Sequence, residues 1–196
     1  HLYDGKCWRE ERTLLVFDEV RNICRETAAE CNEKPAVRRS IASARTVAAV
    51  EKLARADRRL AAIDDQWDAD PMLLNTPAGV VDLRTGNLRA GEPDDYMTKM
   101  TSVGPQMLLD GFETSSFKNF LDQVTDGNAE LQGFLKRFAG YALTGRTDEQ
   151  AMAFFYGTGA NGKGTFVGVL AGILNDYHCT AAIETFTASK FEHHPT

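Results

Sequence analysis

Residues 151–165, AMAFFYGTGANGKGT, decide the fold class of this chain. Residues 151–156 are all apolar and predict a short buried strand. A glycine-rich loop follows at once over residues 157–165, and the apolar residues 166–174 predict a helix. A strand, a glycine-rich loop and a helix in this order are typical of a phosphate-binding α/β unit.

The loop fits two known patterns. Residues 157–163 match the phosphate-binding loop G-x-x-x-x-G-K, and residues 157–162 match the dinucleotide fingerprint G-x-G-x-x-G. In both patterns, glycines let backbone N–H groups point inward, and the N-terminus of the next helix adds partial positive charge. Either pattern therefore predicts that the loop holds an anion.

Lys163 favours the phosphate-binding loop. Such a loop needs an ammonium directly after its last glycine to neutralise the β- and γ-phosphates. The dinucleotide fold instead expects an acid about twenty residues further on. Glu184 stands near that distance, after a possible second strand at residues 180–183. A dinucleotide-binding oxidoreductase therefore stays open as an alternative.

The residue after Lys163 departs from the usual pattern. Gly164 occupies the position where a Ser or Thr normally gives its hydroxyl to Mg²⁺, and Thr165 comes one residue later. Either water holds the Mg²⁺, or Thr165 has another task, such as binding the α-phosphate. The sequence G-K-G-T also resembles adenylate kinases, so a nucleoside monophosphate kinase is a further alternative.

The residues before the loop predict helices and a small β-element. A hairpin is expected at residues 1–8, with Asp4-Gly5 as its turn. The runs with helical spacing are 13–30, 36 to about 63 (one or two helices, opened by Pro35), 117–124 (capped by residues 114–116) and 129–143. Short strand-like runs fall within residues 72–90, separated by turn residues. The expected fold class is α+β.

Composition narrows the class of protein. Apolar residues make up 43% and charged residues 26% of the 196 residues, as in globular proteins. No apolar run is long enough to span a membrane, and no signal peptide is evident. The four cysteines lack CxxC spacing, so we expect free thiols, with Cys24 and Cys31 buried, in a reducing cytoplasm. Because residue 1 is not Met, we expect a piece of a longer protein.

Charge is distributed unevenly along the chain. Eight basic residues lie between Lys34 and Arg59 against two acids, so this segment has a net charge of +6 and the remainder −12. One interpretation is contact with DNA phosphates. The candidate residues are Arg38, Arg39, Arg45 and Arg55. The alternatives are a solvated helical face and pairing with acids elsewhere in the chain.

Two aromatic residues and the histidines have other candidate roles. Trp8 and Trp67 are expected to anchor their surroundings, with stacking on bases as the alternative. His193 and His194 are adjacent and lack the spacing of metal ligands, so no metal site is predicted.

Several separated motifs together resemble the primase–helicases of phages and plasmids, a pattern shared with those of poxviruses. Residues 67–75, WDADPMLLN, and 79–86, GVVDLRTG, resemble the domain that precedes the ATPase. Residues 138–145, FAGYALTG, are similar to the stretch just ahead of the ATPase strand, and residues 157–163 resemble the family's loop. Residues 194–196 resemble a stretch shortly before its acidic strand.

This resemblance implies a superfamily-three helicase, which forms a hexameric AAA+ ring on DNA and moves 3′ to 5′ using ATP and Mg²⁺. It implies a mostly helical accessory domain over residues 1–145, with a β-element at about 72–90, and the start of an α/β P-loop domain over residues 146–196. The residues that would bind nucleotide phosphates are Gly157, Gly159, Asn161, Gly162, Lys163, Gly164 and Thr165.

The resemblance assigns no catalytic residue within the chain. The family's acidic strand, sensor residue and arginine finger would lie beyond Thr196, and its primase before His1. We therefore expect no appreciable ATP hydrolysis from the chain alone. The expected partners are DNA and further copies of the protein, in the cytoplasm of a bacterium that carries the phage, prophage or plasmid. An oligomerisation or interaction module without catalysis is the alternative.

Overall fold

The computed structural model describes residues 1–105 and 115–186. Within these ranges the fold is α+β, with six α-helices and two small antiparallel sheets. The strands are β1 Leu2–Tyr3, β2 Trp8–Arg9, β3 Leu73–Thr76, β4 Gly79–Asp82 and β5 Asn87–Arg89. The helices are α1 Leu15–Glu30, α2 Pro35–Ile41, α3 Ala44–Arg55, α4 Ser115–Val124, α5 Ala129–Ala142 and α6 Lys163–Leu174.

The chain divides into two compact units. The first consists of His1–Ala69 with Glu92–Thr98, and the second of Asp70–Gly91 with Lys99–Thr196. The boundary expected between residues 145 and 146 marks the start of an ATPase domain. It is a different kind of boundary from these two units, and it stays a prediction.

The first unit opens with the predicted hairpin. Tyr3 of β1 faces Trp8 of β2 in antiparallel register. A carboxylate oxygen of Asp4 accepts hydrogen bonds from the backbone N–H groups of Lys6 at 2.9 Å and Cys7 at 2.8 Å. The bond from Cys7 is the main reason why the pKa of Asp4 lies below its usual value. The Asp side chain therefore fixes this turn locally, which is why the sequence could predict it.

Helices α1 and α3 form the core of the first unit. Val20 and Cys24 of α1 pack with Val47 of α3, and Phe17 covers them. The helical run expected over residues 36–63 is two helices, because the Ser43 hydroxyl caps α3 by accepting from the backbone N–H of Thr46 at 3.3 Å. The second of these helices ends at Arg55, so the expectation of helix up to residue 63 is wrong.

The prediction of two buried thiols holds for one of them. Cys24 is buried, whereas Cys31 is half-buried because α1 ends at Glu30 and Cys31 lies just beyond the helix. All four cysteines are free thiols.

Aromatic rings join the hairpin to the rest of the first unit. Trp8 and Trp67 meet edge to face with ring centroids 5.6 Å apart, and each contacts Tyr96. The indole N–H of Trp8 donates to the carbonyl oxygen of Pro93 at 2.8 Å. Both tryptophans therefore anchor this unit, as expected, with their rings engaged by neighbouring rings.

The second unit contains the predicted β-element. Strands β3, β4 and β5 form an antiparallel meander in which Leu74 pairs with Val81. Asp70, just before β3, receives two hydrogen bonds from the guanidinium of Arg84, at 2.7 and 3.1 Å. This pair joins the start of the meander to the turn between β4 and β5.

A short turn joins α4 to α5 in the second unit. The side chain of Asn128 caps α5 by accepting from the backbone N–H of Leu131 at 3.0 Å. The backbone N–H of Gly145, just beyond α5, donates to the carbonyl oxygen of Pro71 at 2.7 Å. Of the caps expected for α4, Thr114 lies outside the described residues.

Two strand predictions are wrong. Residues 151–156 form no strand, and Met152, Phe154 and Tyr156 are 74%, 81% and 84% exposed. Only Phe155 turns inward, against Phe138 and Phe166. An apolar run becomes a strand only when another strand pairs with it, and none does so within residues 1–105 and 115–186.

The second strand expected at residues 180–183 is also missing. Ile183–Phe186 is a 3₁₀ turn, and the residues before it have no regular structure. None of the helices among the described residues is long and apolar enough to cross a membrane.

Candidate phosphate-binding loop and basic surface

The backbone of residues 157–165 turns sharply at glycines. Gly157 has a φ of +143° and Gly162 a φ of +77°, a region that side chains other than glycine rarely adopt. A Cβ on Gly157 would lie 2.6 Å from Nδ2 of Asn161, and a Cβ on Gly162 would lie 2.5 Å from Cγ1 of Val124. Glycine is therefore required at both positions, for shape as well as for backbone conformation.

Helix α6 begins at the end of this loop. Lys163 is its first residue, Gly162 is its N-cap, and no side chain caps the helix. The backbone N–H groups of the first turn have no partner within a helix, and the helix dipole places partial positive charge there. The structure thus directs this helix end toward the loop.

The side chain of Lys163 curls back over the loop. Its ammonium donates to the carbonyl oxygens of Gly157 and Thr158, each at 3.1 Å, and to the amide oxygen of Asn161. No carboxylate within the described residues pairs with it. The positive charge of Lys163 is therefore held in the loop by neutral acceptors, which leave it available to an anion.

An apolar cavity of about 440 Å³ adjoins the loop. Gly162 and Lys163 of the loop line it together with Phe134 of α5, Phe155 and Phe166. All of these residues belong to the second unit. The anion-binding groups therefore border a space that is formed chiefly by apolar and aromatic side chains.

The structure brings together four of the seven predicted loop residues: Gly157, Asn161, Gly162 and Lys163. Gly159 has open space where a Cβ would lie, as does Gly164. Thr165 is exposed in the first turn of α6.

The dinucleotide alternative expects an acid at the end of a second strand. Glu184 instead lies in the exposed 3₁₀ turn Ile183–Phe186. The described residues therefore lack the second strand, ending in an acid, that a dinucleotide-binding fold needs.

Metal ligands do not cluster in the described part of the chain. Residues 1–105 and 115–186 contain no group of three or more His, Cys, Asp or Glu side chains that could hold a metal ion. His193 and His194 lie outside these residues.

The basic segment occupies α2, α3 and the turn that follows. Arg38 and Arg39 lie on α2 and Arg45 and Arg55 on α3, and all four are exposed. Arg55 pairs with Glu51 one turn away.

Most of the segment's charge remains unpaired. Arg59 pairs with Asp57 at 2.6 Å. The basic side chains without an ion pair among the described residues are those of Lys34, Arg38, Arg39, Arg45, Lys52 and Arg58. One alternative drawn from the sequence is that acids elsewhere in the chain pair with these residues. Among the described residues, such pairing does not occur for these six side chains.

Sequence reasoning missed the support beneath the loop. Phe120 and Val124 of α4 contact Gly162. Their spacing of four residues predicts that they share an apolar helix face. The sequence does not indicate that this face packs against the loop.

Comparison with models of protein families assigns the chain to a family. The family model described as D5 N terminal like matches residues 1–126. Because this match covers more than half of the chain, the chain belongs to that family, which is the N-terminal region of D5-like primase–helicase proteins. No curated protein matches the chain. The match ends two residues after α4, so it includes neither residues 157–165 nor α6.

Proposed function

We propose that residues 157–165 bind the phosphates of ATP, and that the chain belongs to an ATP-driven DNA helicase of phage or plasmid replication. The observation that carries this proposal is the position of Lys163. Its ammonium lies in a loop that requires glycine at residues 157 and 162, and α6 begins uncapped at the same point. An ammonium and the N–H groups of a helix end together suit a polyphosphate.

The loop suits a phosphate group, because its two glycines at positive φ let the backbone turn sharply toward the N-terminal end of α6. Mg²⁺ would neutralise charge on the β- and γ-phosphates. Gly164 offers no hydroxyl to the metal, so we propose that phosphate oxygens and water hold it. Thr165, with its hydroxyl exposed in the first turn of α6, is the chain's candidate for contact with the α-phosphate.

The family supports the wider part of the proposal. As the N-terminal region of a D5-like primase–helicase protein, residues 1–126 belong to a replication protein. We propose that residues 146–196 begin a P-loop domain of the AAA+ class, and that the complete protein assembles as a hexameric ring on DNA. The unpaired arginines of α2 and α3 are the proposed DNA contacts, since cations without acidic partners attract phosphates.

Titration with Mg-ATP tests the nucleotide site. Replacing Lys163 by Ala should weaken binding about tenfold to hundredfold, because a charge-assisted contact to phosphate is lost. Lys136→Ala is the matched control, since Lys136 is exposed on α5. Equal affinity in the wild type and Lys163→Ala would refute the proposal. Tighter binding of NADH than of Mg-ATP would favour the dinucleotide alternative.

An interaction module is the second candidate. Met152, Phe154 and Tyr156 expose large apolar side chains in an unpaired segment, and such surfaces promote association. Size-exclusion chromatography without nucleotide separates the two candidates. A dedicated assembly module should self-associate without ATP, and Phe154→Ser should reduce that association.

A further inference from the structure

Helix α4 approaches the phosphate loop at Gly162. A Cβ on this glycine would lie 2.5 Å from Cγ1 of Val124, and 3.1 and 3.2 Å from Cε2 and Cζ of Phe120. Phe120 and Val124 are four residues apart and thus share one face of α4. The absence of a side chain at Gly162 lets the loop backbone rest directly on these two residues.

Gly162 is a sensitive point for such a contact. It is the N-cap of α6, has a φ of +77° and directly precedes Lys163. A rotation of its backbone would redirect both the first N–H groups of α6 and the start of the Lys163 side chain. The surface beneath Gly162 therefore helps to set the geometry of the anion-binding groups.

A second set of contacts holds the C-terminal end of α4 to the first turn of α5. The buried hydroxyl of Thr125 donates to the carbonyl oxygen of Leu121 at 2.6 Å and accepts from the side-chain amide of Gln132 at 2.9 Å. The same amide donates to a carboxylate oxygen of Asp122 at 2.8 Å. Because Gln132 lies in the first turn of α5, these hydrogen bonds tie the C-terminal end of α4 to the start of α5.

We propose that Phe120 and Val124 are positioning residues for the phosphate loop, through which nucleotide binding and the conformation of α4 are coupled. This inference rests on the proposed function of the loop. Linkage requires the effect to be reciprocal: a well-packed α4 strengthens phosphate binding, and bound phosphate stabilises α4. Helix α4 also lies within the segment matched by the family model, so the contact couples that region to the loop.

Titration of the chain with inorganic pyrophosphate and with Mg-ATP tests this coupling. Phe120→Ala should weaken both ligands by about three- to thirtyfold, the usual range for a coupled residue that does not touch the ligand. Phe120→Leu should retain most of the affinity, because it preserves an apolar contact. Gln123→Ala is the matched control, because it shortens an exposed, uncharged side chain on the same helix. Phe117 does not serve, since its ring stacks on that of Phe120 with centroids 5.8 Å apart.

Hydrogen exchange distinguishes coupling between α4 and the loop from a purely structural role of Phe120. Mg-ATP should slow the exchange of backbone amides in residues 115–124 of the wild type and of Phe120→Leu, and not of Phe120→Ala. If circular dichroism shows that Phe120→Ala does not fold, Val124→Ala takes its place with the same expected losses.

The outcomes separate this inference from the proposed function. If the wild type binds neither ligand, both proposals fall. If the wild type binds, Lys163→Ala binds more weakly, and Phe120→Ala matches the wild type, only the positioning role is overturned. An equal loss in Gln123→Ala and Phe120→Ala also overturns it, since the effect would then come from α4 as a whole.

Discussion

The glycines of the loop are not equivalent at the scale of single residues. The sequence pattern treats Gly157 and Gly159 alike, as the first two glycines of one motif. In the structure, Gly157 has a φ of +143° and lies against the Asn161 amide, which in turn contacts the Lys163 ammonium. Gly159 has open space around it. The pattern could predict that the loop binds an anion, but not which glycine the loop's own packing requires.

Alanine at these two positions should therefore have unequal effects. Gly157→Ala must strain the backbone or displace Asn161, and we expect it to weaken Mg-ATP binding about tenfold. Gly159→Ala meets no neighbour within the chain, so it should cost less affinity than Gly157→Ala. Calorimetric titration of both variants measures the difference, and equal losses would contradict this account of the loop.

The pair Asp70–Arg84 should make the stability of the second unit depend on pH. Hydrogen bonds from Arg84, followed by one from the backbone N–H of Met72, hold the pKa of Asp70 below its usual 3.8. A lowered pKa in the folded state contributes stability above the unfolded value, which is lost as the pH falls through the folded value. Both side chains are more than a third exposed, so the contribution should stay below about 1 kcal/mol.

Asp70→Asn tests this pair because it removes the charge and keeps an acceptor for Met72. Its melting temperature should be lower than that of the wild type at neutral pH, and the difference should shrink as the pH falls below 3.8. Arg84→Gln should show the same trend in thermal unfolding followed by circular dichroism. A difference that persists unchanged in acid would show that the charge is not responsible.

At the scale of elements, local signals predicted most of the helices and strands. Asp4-Gly5 fixes the first hairpin, Pro35 opens α2, and Asn128 caps α5, and each acts within a few residues. Residues 151–156 show where this reasoning ends. Their apolar run favours a strand, but pairing depends on partners distant in sequence, and the described residues supply none.

The unpaired arginines of α2 and α3 predict how DNA binding depends on salt. Arg38 and Arg45 are free of ion pairs within the described residues, whereas Arg55 and Arg59 each pair with an acid. Replacing the first two by Ala should lower the salt dependence of single-stranded DNA binding by about 0.7 in log–log slope per lost phosphate contact.

The control changes the net charge of the chain by the same amount. Arg55→Ala with Arg59→Ala also removes two cations, but these already interact with acids, so the slope should change less. Fluorescence anisotropy at a series of salt concentrations measures both. If the two double variants behave alike, net charge and not the unpaired surface governs binding.

At the scale of the whole molecule, nucleotide binding and hydrolysis should separate. Hydrolysis needs an acid that holds Mg²⁺ and orients water, and an arginine that stabilises the transition state. Within the described residues, Lys163 contacts only carbonyl and amide oxygens of the loop. We expect the chain to bind Mg-ATP and release no appreciable phosphate. Phosphate release that depends on Lys163 would contradict this expectation.

The central claim is that residues 157–165 bind nucleotide phosphates. Its most direct test is a titration of the ¹⁵N-labelled chain with Mg-ATP, followed by the amide resonances in NMR spectra. We predict the largest shifts at residues 157–165, smaller shifts at residues 115–124, and a clear reduction of both in Lys163→Ala at the same Mg-ATP concentration. Binding that leaves residues 157–165 unperturbed, or a wild type that does not respond to Mg-ATP at all, would contradict it.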